Sequence, residues 1–200
     1  MPIGMKRFLF VFTVLLLVFA RSGMGQESYR IFIDPSSRIT VNGSTNVNRF
    51  NFRYTEEITI DKPVKVNRID RKLKLNGGVI DLKVSAFDSG NGLMNKDFRK
   101  MLKEEENPFI QVELASINPT WKTAELWLEG KVEILITLNE ITKKYVVPCK
   151  IENPGSMLIY GKQTLQLIDF GLEAPTRMMG MVKVNELVEF DFSLRFATDK

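Results

Sequence analysis

The sequence predicts an all-β protein of mainly antiparallel strands, a sandwich or barrel, with one short helix. Three observations point there. Apolar and polar residues alternate in several separate runs, the pattern of strands with one buried face. Turn-forming residues punctuate those runs at short intervals. Only one stretch has helical spacing.

The elements follow in chain order. Phe50, Phe52 and Tyr54 alternate with Asn51 and Arg53, which gives an early strand. A weaker strand covers 79–84. Leu93, Met94, Phe98, Met101 and Leu102 then fall at helical intervals, with Asn95 as the expected cap. The acidic run Glu104-Glu105-Glu106 is unfavourable at a helix C-terminus, and Asn107-Pro108 forces extended chain, so the helix ends near Lys103. Its apolar face needs a sheet or a barrel mouth to cover. Ile110, Val112 and Leu114 begin the next strand. Val132, Ile134, Ile136 and Leu138 share one face of the strand over 130–138, and Tyr145, Val147, Cys149 and Ile151 share one face of its successor. Two residues, Asn139-Glu140, separate these strands and predict a tight hairpin. Asn tolerates positive φ but Glu is a poor second turn residue, so a slightly irregular turn is expected. A weaker strand covers 157–167. The last run is the clearest: Val188, Phe190, Phe192, Leu194 and Phe196 alternate with Glu189, Asp191, Ser193 and Arg195. Asn42-Gly43, Asn76-Gly77-Gly78, Glu129-Gly130 and Pro154-Gly155 read as turns. No repeat, linker or low-complexity tract divides 26–200, which reads as one domain.

Residues 1–25 read differently. Lys6 and Arg7 precede a 13-residue apolar run, Phe8 to Ala20, broken only by Thr13, and small residues follow at Gly23 and Gly25. This is the layout of a secretory signal peptide cut between Gly25 and Gln26. A spanning helix needs roughly 20 apolar residues. No Cys near the cut offers a lipid anchor. The expected location is therefore periplasmic or secreted. The leader holds Lys6, Arg7 and Arg21 and no acidic residue, so the remainder carries 25 basic and 24 acidic residues. Near-neutral charge argues against a nucleic-acid partner or a polybasic membrane surface.

The residue inventory excludes much chemistry. With no His in 200 residues, no Ser-His-Asp or Cys-His system can form. Zinc held by imidazole and haem held by a proximal His are excluded too. The lone Cys149 closes no internal disulfide and reads as a small buried hydrophobe. Asp169-Phe170-Gly171 spells a kinase tripeptide without its companion motifs and reads as a strand end with a turn glycine. Asp88-Ser89-Gly90-Asn91-Gly92 lacks the acidic ladder of a calcium loop. Met178-Met179-Gly180-Met181 offers thioethers for Cu(I), but soft packing or a lid explains it as well. Asn42-Gly43-Ser44 matches a glycosylation acceptor. Asp and Glu are not paired with sugar platforms in the manner of a glycoside hydrolase, and Trp121 and Trp127 are the only tryptophans. The expectation is no catalytic residue, no metal and no enzyme activity.

What remains is a set of apolar strand faces rich in Phe and branched residues. These form either a filled core or a cavity. An eight-stranded barrel is just wide enough for side chains to fill it or for one ligand to occupy it.

Four stretches resemble the YceI-like family of exported polyisoprenoid-binding proteins. Met94-Asn95-Lys96-Asp97-Phe98 with Met101-Leu102, followed by Asn107-Pro108-Phe109-Ile110-Gln111-Val112, resembles that family's helix and following strand. Ile136 to Lys143 resembles its hairpin, with Glu140 in place of the usual turn glycine. Leu165 to Leu172 resembles its "D-F-G-I" strand, although the Arg that often precedes the Asp is absent. Val41 to Phe50 resembles its first-strand region, and Val112 stands where Phe is common. The resemblance spans most of 26–196 in the family's order.

The resemblance implies a lipocalin-like eight-stranded β-barrel holding an isoprenoid-type or other long apolar chain, as carrier or store in the cell envelope. The implied partner is a long-chain isoprenoid or quinone-like lipid, with no cofactor beyond it. Transient membrane contact and a dimer stay open. The expected barrel lining is Phe50, Phe52, Ile134, Ile136, Phe190, Phe192 and Leu194, with Tyr160 offering a hydroxyl to a polar head group. The alternative is a barrel filled by its own side chains, acting as a structural or interaction module.

Overall fold

The computed structural model describes residues 27–198 apart from 30, 61, 70–71, 121–126, 153–156 and 178–180. The expected leader, the Pro154-Gly155 turn, Trp121 and Met178 to Gly180 lie outside the described residues.

The chain is almost wholly β. The early strands are β1 (Glu27–Tyr29), β2 (Ile31–Ile33), β3 (Arg38–Ser44), β4 (Arg49–Tyr54), β5 (Val64–Ile69), β6 (Lys72–Asn76) and β7 (Val79–Lys83). A single 3-10 turn (Val84–Ala86) leads to β8 (Phe87–Asp88) and the helix α1 (Gly92–Met101). Three 12-residue strands follow: β9 (Phe109–Thr120), β10 (Trp127–Leu138) and β11 (Ile141–Glu152). Then come β12 (Met157–Gln166), a second 3-10 turn (Leu167–Phe170), the small hairpin β13 (Thr176–Arg177) and β14 (Val182–Lys183), and β15 (Leu187–Thr198).

Apart from that hairpin, the strands join one thirteen-stranded sheet: eleven run in the order β1-β5-β6-β9-β10-β11-β12-β15-β3-β4-β8, β2 pairs with β15 and β7 with β9. Every pairing is antiparallel. β7 pairs with β9 and β8 pairs with β4, so the stretch 79–88 carries the chain from one flank of the curled sheet to the other. The all-β class with one short helix is as expected, but the strand count exceeds eight. Four short strands, β1, β2, β5 and β6, extend the sheet, and the 3-10 turn splits one strand into β7 and β8.

The alternation sets the core. On β15, Val188, Phe190, Phe192, Leu194 and Phe196 are buried. Between them Glu189 and Asp191 face outward, where Lys162 of β12 bridges both at 2.8 and 2.9 Å. Another outer cluster pins β6 to the sheet. Glu133 of β10 accepts hydrogen bonds from the buried Ser116 hydroxyl (2.7 Å) and Lys72 (3.0 Å), and lies 3.3 Å from Lys144. The β9–β10 register shifts at Glu133/Ile134.

Three turn expectations are corrected. Asn42-Gly43 lies inside β3 and Glu129-Gly130 inside β10. At Gly43 the reason is packing: a Cβ would meet the Phe50 ring at 2.5 Å, so the glycine is there to let that ring lie against the strand. The Asn139-Glu140 turn is regular, not irregular. Both residues have positive φ, 47° and 62°, and Leu138 pairs directly with Ile141. That is the left-handed pair a tight two-residue hairpin needs, so the strand twist overrides the poor turn propensity of Glu. Among the described residues, no helix is long and apolar enough to cross a membrane.

Candidate functional site

The helix is placed by a short polar loop. The Asn91 side chain accepts from the backbone N–H groups of Leu93 (3.0 Å) and Met94 (3.1 Å), capping the first turn. Asn95, the expected cap, lies one turn further on, where its own N–H already bonds to Asn91 O at 2.9 Å. Its side chain instead ties the loop down. It accepts from Ser89 N (2.9 Å) and Ser89 Oγ (2.7 Å) and donates to Asp88 Oδ1 (2.6 Å). The Asn95 bond, then the Gly90 N–H, hold the Asp88 carboxyl below its ordinary pKa. The calcium-loop residues are thus engaged in anchoring a helix. That helix ends at Met101, with Leu102 as its C-cap and Lys103 at φ 53°, close to the expected limit.

So anchored, α1 turns its apolar face onto the sheet. Phe98 stacks on Phe52 of β4 with centroids 4.2 Å apart and planes 23° from parallel. Phe50 meets Phe52 edge-on at 5.7 Å, and Phe87 packs against Phe98 at 5.6 Å. The sequence predicts a helix face that needs a sheet or a barrel mouth to cover, and the face lies on the sheet at Phe52.

A cavity of about 230 Å³ lies beneath it. The strands supply Val41, Phe50, Phe52, Ile136, Leu138, Leu165, Val188 and Phe190 to its wall, and α1 supplies Met94, Phe98 and Met101. Pro175, Val182 and Val184 close another side. The β13–β14 hairpin that carries Val182 is tied to the β3–β4 turn. Asn46 Nδ2 donates to Met181 O (2.9 Å), and Lys183 N donates to Asn46 Oδ1 (3.1 Å). Among the described residues lining the cavity, only Thr45, Asn48 and Asp97 are polar. Asn48 is exposed, so the polar groups mark the solvent side. No group of three or more Cys, Asp or Glu that could hold a metal ion occurs among the described residues.

Solved structures share this architecture. A polyisoprenoid-binding domain from Saccharophagus degradans superposes with a TM-score of 0.63 at 11% identity, covering 86% of this chain and 99% of that one. BcnA of Burkholderia cenocepacia gives 0.55 at 13% identity, covering 82% and 98%. A mutant YceI protein of Campylobacter jejuni gives 0.50 at 11% identity, covering 72% and 85%. The chain has the YceI-like fold. No family model matches the sequence, and no curated protein does.

Within this YceI-like barrel the expected lining residues divide. Phe50, Phe52, Ile136 and Phe190 border the cavity. Ile134, Phe192 and Leu194 are buried at 1–2% exposure but do not border it; they belong to a filled part of the interior. Tyr160 is a correction. It alternates with buried Ile159 and shares the outward face of β12 with exposed Lys162, beside Asp191 in a separate surface hollow. Strand parity puts its hydroxyl on the outside, away from the cavity. Cys149 is buried as expected, and burial pushes its thiol up to about 11. Asp169-Phe170-Gly171 is structural: Phe170 is fully buried in the 3-10 turn, Gly171 caps it at φ 62°, and Asn139 Nδ2 donates to Phe170 O at 3.0 Å. Sequence reading missed Val41, Leu165, Pro175, Val182, Val184 and Val188 as wall.

Proposed function

We propose that this protein is an exported, non-enzymatic lipid-binding protein that holds an isoprenoid-type chain in the cavity under α1, as carrier or store in the cell envelope. The observation carrying this reading is the cavity itself: aromatic and branched walls, polar groups confined to the rim. Burial of apolar chain gains about 25 cal/mol per Å² removed from water, which is what makes such a wall a useful site for a prenyl tail. Met94 and Met101 suit this role, because unbranched thioethers adapt to a flexible occupant. The polyisoprenoid-binding domain of similar fold supports the same ligand class. The leader-like residues 1–25 support export.

The test is native mass spectrometry of the mature protein from a bacterial envelope, then organic extraction. A prenyl lipid or quinone bound at about one per protein is expected. A protein that purifies empty and takes up no prenyl alcohol overturns the proposal, and leaves the alternative of a barrel that acts through its surface.

A further inference from the structure

The exposed apolar side chains of this molecule gather around the cavity. Among the described residues ten large hydrophobics are exposed, and six of them, Val47, Leu93, Phe109, Ile168, Met181 and Leu187, are immediate chain neighbours of residues in the cavity wall. A seventh, Ile141, pairs with the wall residue Leu138. Single exposed hydrophobics are ordinary, but a set of them around one cavity marks a surface that meets something apolar.

The two most exposed, Val47 and Met181, are both 70% exposed and lie on turns tied to each other. Asn46 Nδ2 donates to Met181 O, and Lys183 N donates to Asn46 Oδ1. Thr45 Oγ1 donates to Asn48 Oδ1 at 2.7 Å and accepts from Val47 N and Asn48 N. The polar side chains of the 45–48 turn are thus engaged within the protein, and the apolar Val47 is the one left facing water. The tied stretches 41–49 and 181–184 contain Arg49 and Lys183 and no acidic residue. Both cations are exposed, and neither joins an ion pair among the described residues. Apolar tips flanked by exposed cations suit a phospholipid surface, where the tips enter the interface and the cations meet lipid phosphates. The exposed hydrophobics stand on separate turns, a helix and strand ends, with polar residues between them in sequence. That pattern fits side chains entering a lipid surface one by one better than the contiguous apolar core of a protein interface.

Resting on the chain-binding reading above, we infer that the cavity end of the barrel docks on a phospholipid bilayer, with Val47 and Met181 entering the interface and Arg49 and Lys183 on lipid phosphates. An apolar chain then passes between bilayer and cavity without crossing water.

The experiment is co-sedimentation of the mature protein with phosphatidylethanolamine–phosphatidylglycerol vesicles that contain no prenyl lipid. The wild type is expected to sediment with them. Val47→Ser combined with Met181→Ser is expected to weaken the partition roughly tenfold or more, because two side chains lose their apolar burial. Ile69→Ser combined with Val146→Ser changes two exposed hydrophobics that neighbour no wall residue, and is expected to stay within about twofold of the wild type. Arg49→Gln combined with Lys183→Gln is expected to weaken binding about fivefold or more. All six positions are exposed, so the variants are expected to fold. A wild type that stays in the supernatant, or two apolar pairs that lose binding equally, overturns the docking surface. So does a wild-type dimer in sedimentation equilibrium that Val47→Ser with Met181→Ser dissociates, because a second copy then covers this end. Titration calorimetry with geraniol separates the two readings. Geraniol binding without vesicle binding overturns docking alone. Vesicle binding without geraniol uptake overturns the chain-binding reading and leaves the docking surface standing.

Discussion

The helix lid invites a direct perturbation, Phe98→Ala. Phe98 is 5% exposed, stacks on Phe52 at 4.2 Å and touches Phe87 at 5.6 Å, so the ring is the main apolar tie between α1 and β4. Burying a Phe side chain is worth about 1.5–3 kcal/mol, and a well-set aromatic pair adds about 0.5–1.5. Phe→Ala substitutions in closed cores cost about 3–5 kcal/mol, part of which is the void left behind. Here the void merges with the existing 230 Å³ cavity, which has solvent on one side, so the expectation sits at the lower end, about 3 kcal/mol. For a domain of this size that lowers Tm by roughly 6–12 °C. The assay is thermal unfolding by circular dichroism, paired with Leu93→Ala on the exposed side of the same helix. Leu93 is 58% exposed, and its change should stay within about 0.5 kcal/mol. A Phe98→Ala protein that melts within about 2 °C of the wild type would refute the claim that the stacked ring holds the lid.

Three further outcomes follow from the same geometry. Val188→Phe should fill the cavity from the β15 wall, changing stability by about 1 kcal/mol or less while weakening geraniol binding at least tenfold; unchanged binding would move the ligand elsewhere. Gly161→Ala places a Cβ 3.0 Å from both Phe192 Cζ and Pro148 O, so about 1–3 kcal/mol of destabilisation is expected in urea unfolding, and a neutral result would mean that the ring moves freely. The Ser116 hydroxyl, then Lys72, hold Glu133 well below its ordinary 4.5, at about 2. Because the folded value is the lower one, the stabilisation is fully present above pH 4.5 and lost as pH falls toward 2. Glu133→Gln should flatten the acid side of the stability profile over that window, and an unaltered profile would show that the cluster adds nothing.

Much of the fold was legible because strand faces are local. The alternation from Val188 to Phe196 and from Val132 to Leu138 predicts buried faces that the structure has. The helix was legible from its spacing, but its cap was not. Asn91 and Asn95 are both plausible by type, and only the chain path from β8 makes Asn91 the residue that meets the free N–H groups. Gly43 misled because a glycine that admits a neighbouring ring looks in sequence like a glycine that turns. β5 and β6 are short runs in which Val64 and Val66 alternate with Lys65 and Asn67, and Leu73 and Leu75 with Lys74; they were missed because what joins them to the sheet, pairing with β9 and the Glu133 cluster, is not local.

The site was legible only in part, and the reason lies in what periodicity reports. It tells which way a side chain points, not whether another meets it across the lumen. Ile134 and Ile136 sit two apart on one face of β10, yet one is in the filled half and the other in the cavity wall. The same holds for Phe192 and Phe190. The two readings of the sequence, a filled barrel and a hollow one, therefore describe two halves of one molecule. Gly161 likewise admits the Phe192 ring toward β12, a contact between residues 31 positions apart that no local pattern contains.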